Sequence, residues 1–180
     1  MIYNRTIGAQ LLGALFKKPE ILADSDSYLL GLEDFPERLP RMIFGHLYNL
    51  YFNGMVKMDF ESFVKEISKY PEQIEFFSQS QGEEFLLMAI EKGEVANFDF
   101  YYNKIKKFSL LRDLEDAGFD ISKWYNEGLM DIRQRELMEE RLENASIHEI
   151  INSFQGTFFD IETRFINKKT FKVASAASGL

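Results

Sequence analysis

The sequence predicts an all-α protein, a small globular helical bundle followed by a long helical hairpin. Three observations lead there. Apolar residues recur at three-and-four spacing along almost the whole chain. Capping side chains stand in front of the longest of these runs. No stretch alternates apolar and polar residues between tight turns, as a half-buried strand does.

From Thr6 to Phe16, the residues Ile7, Leu11, Leu12 and Leu15 mark a first helix, while Gly8, Ala9, Gly13 and Ala14 keep part of its surface small enough for close packing. Gly8 and Gly13 have the G-x-x-x-x-G spacing of a phosphate loop. Ala14 and Leu15, however, stand where Lys and Ser or Thr must follow, so the lysine that reaches the phosphates and the hydroxyl that holds Mg²⁺ are both missing. Pro19 begins a short helical turn, and residues 25–32 form a loop. Leu39, Ile43, Leu47 and Leu50 lie on one face of a helix that stops before Asn53 and Gly54. Asp59 caps a helix through Phe60, Phe63, Val64 and Ile67, and Pro71 fits the first turn of the next. Ser80 and Glu83, with Gly82 between them, form a capping-box pair ahead of Phe85, Leu86, Met88, Ala89 and Ile90.

The longest run organises the chain. Asn97 stands where it can cap a helix whose face is Phe98, Tyr101, Tyr102, Ile105, Phe108, Leu111 and Leu114. Gly118 bends or breaks it, Asp120 caps a further turn holding Ile121, Trp124 and Tyr125, and Gly128 closes that turn. Residues 129–144 alternate charge signs around a thin stripe of Leu129, Ile132, Leu137, Met138 and Leu142, the pattern of an exposed connecting helix. Ser146 and Glu149 then form an S-x-x-E capping box before Ile147, Ile150, Ile151, Phe154, Phe158, Ile161 and Phe165, which advance at nearly the 3.5-residue repeat of a packing seam. The expected division is a bundle over 1–97, a hairpin with its charged connecting helix over 98–167, and a linker over 168–180. Such a hairpin exposes more apolar surface than its two helices can cover in each other, so its expected use is binding other proteins. The candidate surface for a second subunit or a partner comprises Leu111, Leu114, Trp124, Tyr125, Ile151, Phe154, Phe158, Ile161 and Phe165.

Composition excludes several other classes. The chain has 180 residues, 46% of them hydrophobic, enough for a real core. The absence of cysteine rules out disulfides and thiolate metal sites and fits a reducing cytosol. The N-terminus lacks a basic leader and a cleavage site, and no apolar run approaches the ~18 residues needed to cross a bilayer, so a cytoplasmic protein without membrane attachment is expected. A net charge of −8 opposes any grip on a phosphate backbone, and no direct DNA binding is expected. The basic cluster Arg164, Lys168, Lys169 and Lys172 reads as a solvated linker. His46 and His148 are far apart in the chain and belong to no metal motif; the first reads as a partly buried helix residue and the second as a solvated one. Glu83 with Glu84, and Glu139 with Glu140, are neighbours that point in different directions on a helix, and read as wetted faces rather than acid–base pairs. The aromatic residues fall on core-facing positions, without the basic grooves that accompany base-stacking platforms. No catalytic, cofactor-binding or metal-binding residue is assigned.

Three blocks of residues carry a resemblance. The first is Leu11, Leu12, Gly13, Ala14, Leu15, Phe16, Pro19 and Glu20. The second is Asp34, Phe35, Arg41, Ile43, Phe44, Leu50, Tyr51 and Gly54, with Asp59 opening the next helix. The third is YYNKI at Tyr101 to Ile105, followed by Leu110, Leu111, Arg112 and Leu114. In this order, over residues 7–126, they resemble the N-terminal domain of the DnaB-type replicative DNA helicases. The chain departs from that pattern by one extra residue between Gly54 and Asp59, one fewer between Ile105 and Leu110, and a longer charged segment over 129–144, departures that point to a phage or mobile-element version.

The resemblance implies a helical bundle and hairpin that assemble into a collar of paired subunits, a dimer or a trimer of dimers in the helicase hexamer. It implies primase and, in some systems, a helicase loader as partners in the primosome during DNA replication. The motor that uses ATP and Mg²⁺ would lie downstream in a RecA-like domain, toward which residues 168–180 would lead. This chain thus resembles the non-catalytic part of an enzyme. The alternative is a free-standing helical adaptor, a loader or inhibitor with the same fold, and a reading frame continuing past Leu180 into G-x-x-x-x-G-K-[ST] separates the two.

Overall fold

Leu11, Leu12, Ala14 and Leu15 are wholly enclosed, which puts the first helix, rather than the long one that begins near residue 98, at the centre of the fold. The computed structural model describes residues 1–167; the chain is all-α, with eight α-helices and no strand among the described residues. It divides into two compact units, Met1–Ile121 and Ser122–Leu180.

In the first unit, α1 (Arg5–Lys17) begins at Asn4, whose side-chain oxygen accepts from the backbone N–H of Ile7 at 3.0 Å. It packs most extensively on α5 (Gly82–Lys92), and also on α2 (Arg38–Phe52) and α6 (Phe98–Asp116). Its small residues are the reason. A Cβ on Gly13 would land on the carbonyl of Ala89, and one on Gly93 would land on the backbone of Gln10, so the chains meet backbone to backbone there. Lys17 closes the contact by donating to the carbonyl of Gly93 at 2.7 Å. Residues 8–13 are turns of this helix and make no phosphate-cradling loop.

A 3₁₀ turn, Pro19–Ala23, leads through a loop to a second, Leu32–Asp34, and then to α2, whose Ile43, Leu47 and Leu50 enter the core. Asn53 caps α2, and Gly54 follows at φ +106°, a left-handed conformation that suits glycine. Asp59 caps α3 (Phe60–Ile67) by accepting from Ser62 N–H at 2.9 Å. Phe63 then meets Phe16 edge to face, with ring centroids 5.7 Å apart. Pro71 opens α4 (Pro71–Gln79) in its first turn. The expected Ser80–Glu83 box does not form. Ser80 closes α4, Gln81 turns left-handed at φ +56°, and α5 starts at Gly82, where the Phe77 ring occupies the space of a Cβ.

Asn97 precedes α6, but its side chain makes no capping bond. Its backbone, at φ −101° and ψ 12°, continues the 3₁₀ turn Val95–Asn97 instead of taking the extended conformation of a side-chain cap. The boundary expected at 97/98 falls at 121/122, because Phe98, Tyr101 and Ile105 join the bundle core. Periodicity shows that a face is apolar; it does not show what covers it. A polar pin reinforces this attachment. Asp34 is wholly enclosed and accepts from the Ser109 hydroxyl at 2.6 Å, the Lys106 ammonium at 3.0 Å and Gly31 N–H at 2.9 Å. Arg112 donates to the carbonyls of Ile2 at 2.6 Å and Glu33 at 2.9 Å.

Helix α6 ends before Gly118 at φ +91°, as its glycine foretold. The turn expected after Asp120 forms over residues 122–124, as a single non-helical turn. In the second unit α7 (Ile132–Asn144) is capped by Asp131, which accepts from Gln134 N–H at 2.9 Å. Then α8 (Ile147–Glu162) continues into one π-helical turn, Thr163–Asn167. The linker expected over 168–180, with Lys168, Lys169 and Lys172, lies outside the described residues. Among the described residues no helix is long and apolar enough to cross a membrane.

Candidate interaction surface

Helix α8 starts where the sequence places it. Ser146 Oγ accepts from Glu149 N–H at 3.1 Å, and Glu149 Oε2 accepts from Ser146 N–H at 2.7 Å, so two otherwise orphaned donors are satisfied reciprocally. The segment before α7 then ties the helices of this unit together. The Trp124 indole donates to Ser153 Oγ at 3.0 Å, and that hydroxyl donates to the carbonyl of Ile150 at 2.6 Å. Asn126 N–H donates to the Met138 sulfur at 3.1 Å, and Arg141 donates to the carbonyl of Lys123 at 2.8 Å. Among the described residues, Trp124, Met138, Leu142, Ala145 and Ile150 are the buried apolar residues of this unit.

The apolar stripe of α8 changes character along its length. Ile150 is 0% exposed, and Ile151 and Phe154 are half-buried. Beyond them Phe158 is 57% exposed, Ile161 46% and Phe165 66%. Phe159 and Ile166, also exposed, widen the apolar surface beyond one stripe. Asp160 and Glu162 lie between these residues in the chain, and the Arg164 guanidinium sits 4.9 Å from the Phe165 ring centroid. The stripe therefore supports folding in its first half and is exposed in its second.

The nine sequence-derived residues divide accordingly. Leu111 is buried and Leu114 half-buried, both on α6 in the first unit. Trp124 is enclosed, so neither it nor Leu111 presents surface to a partner, and the reading of these two as interface is corrected. Tyr125 is half-buried, its hydroxyl donating to Glu127 at 3.0 Å. Phe158, Ile161 and Phe165 are the members the structure leaves accessible. Sequence reasoning missed Phe159 and Ile166, although their seven-residue spacing marks a second row on the same helix. It also missed Tyr48 and Phe52 of α2, exposed rings with centroids 4.5 Å apart.

His46 is buried on α2 in contact with the Gln73 amide, while His148 is exposed on α8. Among the described residues no three of His, Cys, Asp and Glu converge to hold a metal ion.

No family model matches the chain, and no solved structure does. The chain is similar to the SPbeta prophage-derived uncharacterized protein YorI of Bacillus subtilis (strain 168), with 33% identity over 165 residues that make up 92% of this chain and 33% of the relative. The chain thus spans about a third of the length of the curated relative it matches.

Proposed function

We propose that this chain is the non-catalytic N-terminal collar domain of a hexameric replicative DNA helicase of phage or mobile-element type. In this reading it works in the cytoplasm during DNA replication, pairs helicase subunits, and docks primase and, in some systems, a helicase loader. ATP and Mg²⁺ would act in a motor domain elsewhere in the full protein.

The observation that carries the reading is the division of α8 into a covered half and a half in which Phe158, Ile161 and Phe165 are exposed, an apolar surface suited to a neighbour. The residues of the resemblance add to it. Asp34 of the second block and Arg112 of the third lie on opposite sides of one contact between the Leu32–Asp34 turn and α6, and Leu11, Leu12 and Leu15 of the first form the centre of the bundle, so these motifs serve a fold rather than a reaction. That the similar prophage protein is about three times as long favours a domain of a larger protein over a free-standing adaptor. The net charge of −8 agrees with a collar that leaves the DNA to other parts.

Sedimentation across a concentration series tests the pairing. The wild-type chain is expected to self-associate, and Phe158→Asp and Phe165→Asp, each placing a charge in the apolar contact, are expected to stay folded and monomeric. Purified primase from the same genome is expected to bind the wild-type chain. Absence of both self-association and primase binding removes the collar reading.

A further inference from the structure

A second feature lies wholly in the first unit, between the turn Pro19–Ala23 and the start of α6. It is a cleft of about 360 Å³, lined by Ile21, Tyr28, Val95, Ala96 and Phe98 together with the charged residues Lys18, Glu20, Asp24 and Asp99. Such a volume lies at the low end of the ~300–1,000 Å³ of small-ligand sites and suits one long side chain. We infer that this cleft receives an arginine side chain presented by a partner protein.

The aromatic wall is fixed before a ligand arrives. The rings of Tyr28 and Phe98 meet edge to face at 4.8 Å, and Tyr28 meets Tyr102 in the same way at 5.0 Å. The Tyr28 hydroxyl donates to Asp99, and the Tyr102 hydroxyl accepts from Leu29 N–H at 2.9 Å, which ties the loop to α6. Among the lining residues three carboxylates face one ammonium. Asp99 lies in the first turn of α6, where it offsets the positive end of the helix and removes that end as an anion site. Glu20 and Asp24 then outweigh Lys18. The hydrogen bond to Asp99, followed by burial and the charges of Asp99 and Asp24, pushes the pKa of the Tyr28 phenol up to about 12. A flat guanidinium can lie on an aromatic ring while its edge bonds a carboxylate; an ammonium offers only a point charge. The chain's charge of −8 steers a basic segment toward the site. Since no residue of the cleft belongs to α8, this inference stands or falls apart from subunit pairing.

The test is an NMR titration of the full chain at low salt with the peptide acetyl-Gly-Arg-Gly-amide, following the ring protons of Tyr28 and Phe98. Saturable shifts at an affinity on the order of millimolar are expected, several-fold weaker in Glu20→Gln and several-fold tighter in Lys18→Gln. Both variants alter exposed side chains and leave the bundle intact. The same peptide with Glu in place of Arg, and inorganic phosphate, are expected to leave the rings unmoved. Absent shifts, equal affinity in both variants, or shifts produced by phosphate would each overturn the assignment.

Discussion

Ser109 on α6 donates its hydroxyl to Asp34, 2.6 Å away in the turn before α2, and so joins two segments that are distant in sequence. Asp34 has no exposed surface, and its charge is balanced by this hydroxyl, by Lys106 and by Gly31 N–H. Removing one member of a buried charged set strands the others. Asp34→Ala is therefore expected to lower stability by roughly 3 kcal/mol. Ser109→Ala, which leaves the ion pair in place, is expected to cost about 1 kcal/mol. Urea unfolding curves with midpoints equal to wild type would show that the pin is idle.

Two glycine substitutions should act with opposite sign. A Cβ on Gly13 collides with the backbone carbonyl of Ala89, which cannot swing aside like a side chain, so Gly13→Ala is expected to destabilise by about 3 kcal/mol. Gly156 lies within α8 with nothing near its Cβ position, and Gly156→Ala is expected to stabilise the helix by up to about 1 kcal/mol. Thermal melts followed by circular dichroism compare the two.

Trp124 is the single tryptophan and lies in the second unit, so its fluorescence reports on that unit alone. That unit buries few apolar residues beside the many of the bundle. In a urea titration the fluorescence midpoint is expected below the circular-dichroism midpoint, because small cores open first. Coincident midpoints would mean that the chain unfolds as one cooperative body.

Acid should loosen α3 through its cap. Hydrogen bonding from the Ser62 side chain, and after it from the Ser62 backbone N–H, holds the Asp59 carboxyl below its usual pKa of 3.8. A carboxylate with a depressed folded pKa contributes stability above the unfolded value and loses it as pH falls through the folded one. Wild-type stability is therefore expected to decline from about pH 4 downward, and Asp59→Asn, which can still cap but does not titrate there, is expected to flatten that decline. Denaturant midpoints measured from pH 6 to pH 2 provide the check.

The helices themselves were legible in the residues. Asp59, Pro71, Gly54, Gly118 and the Ser146–Glu149 box each act locally, through one or two backbone bonds, and a short window of sequence contains all they need. The failures required knowledge of neighbours. Ser80 and Glu83 satisfy the spacing of a box, but Ser80 closes the preceding helix, and α5 starts only after the left-handed Gln81, at Gly82 against the Phe77 ring. Phe98, Tyr101 and Ile105 form an evident stripe, yet their partner is α1, more than eighty residues earlier, and this moves the boundary between the units. Of the surface, the far end of α8 was readable as an extension of its seam. The cleft beside Tyr28 was not, since its walls come from short segments without periodicity.

The two halves of α8 answer to different constraints over evolutionary time. Ile150, Ile151 and Phe154 must suit residues of the same chain, and a change there has to be compensated within the gene that carries it. Phe158, Ile161 and Phe165 are exposed, so a change there disturbs the core less and can follow whatever covers them. An exposed surface of this kind can be exchanged for another while the fold beneath it stays as it was.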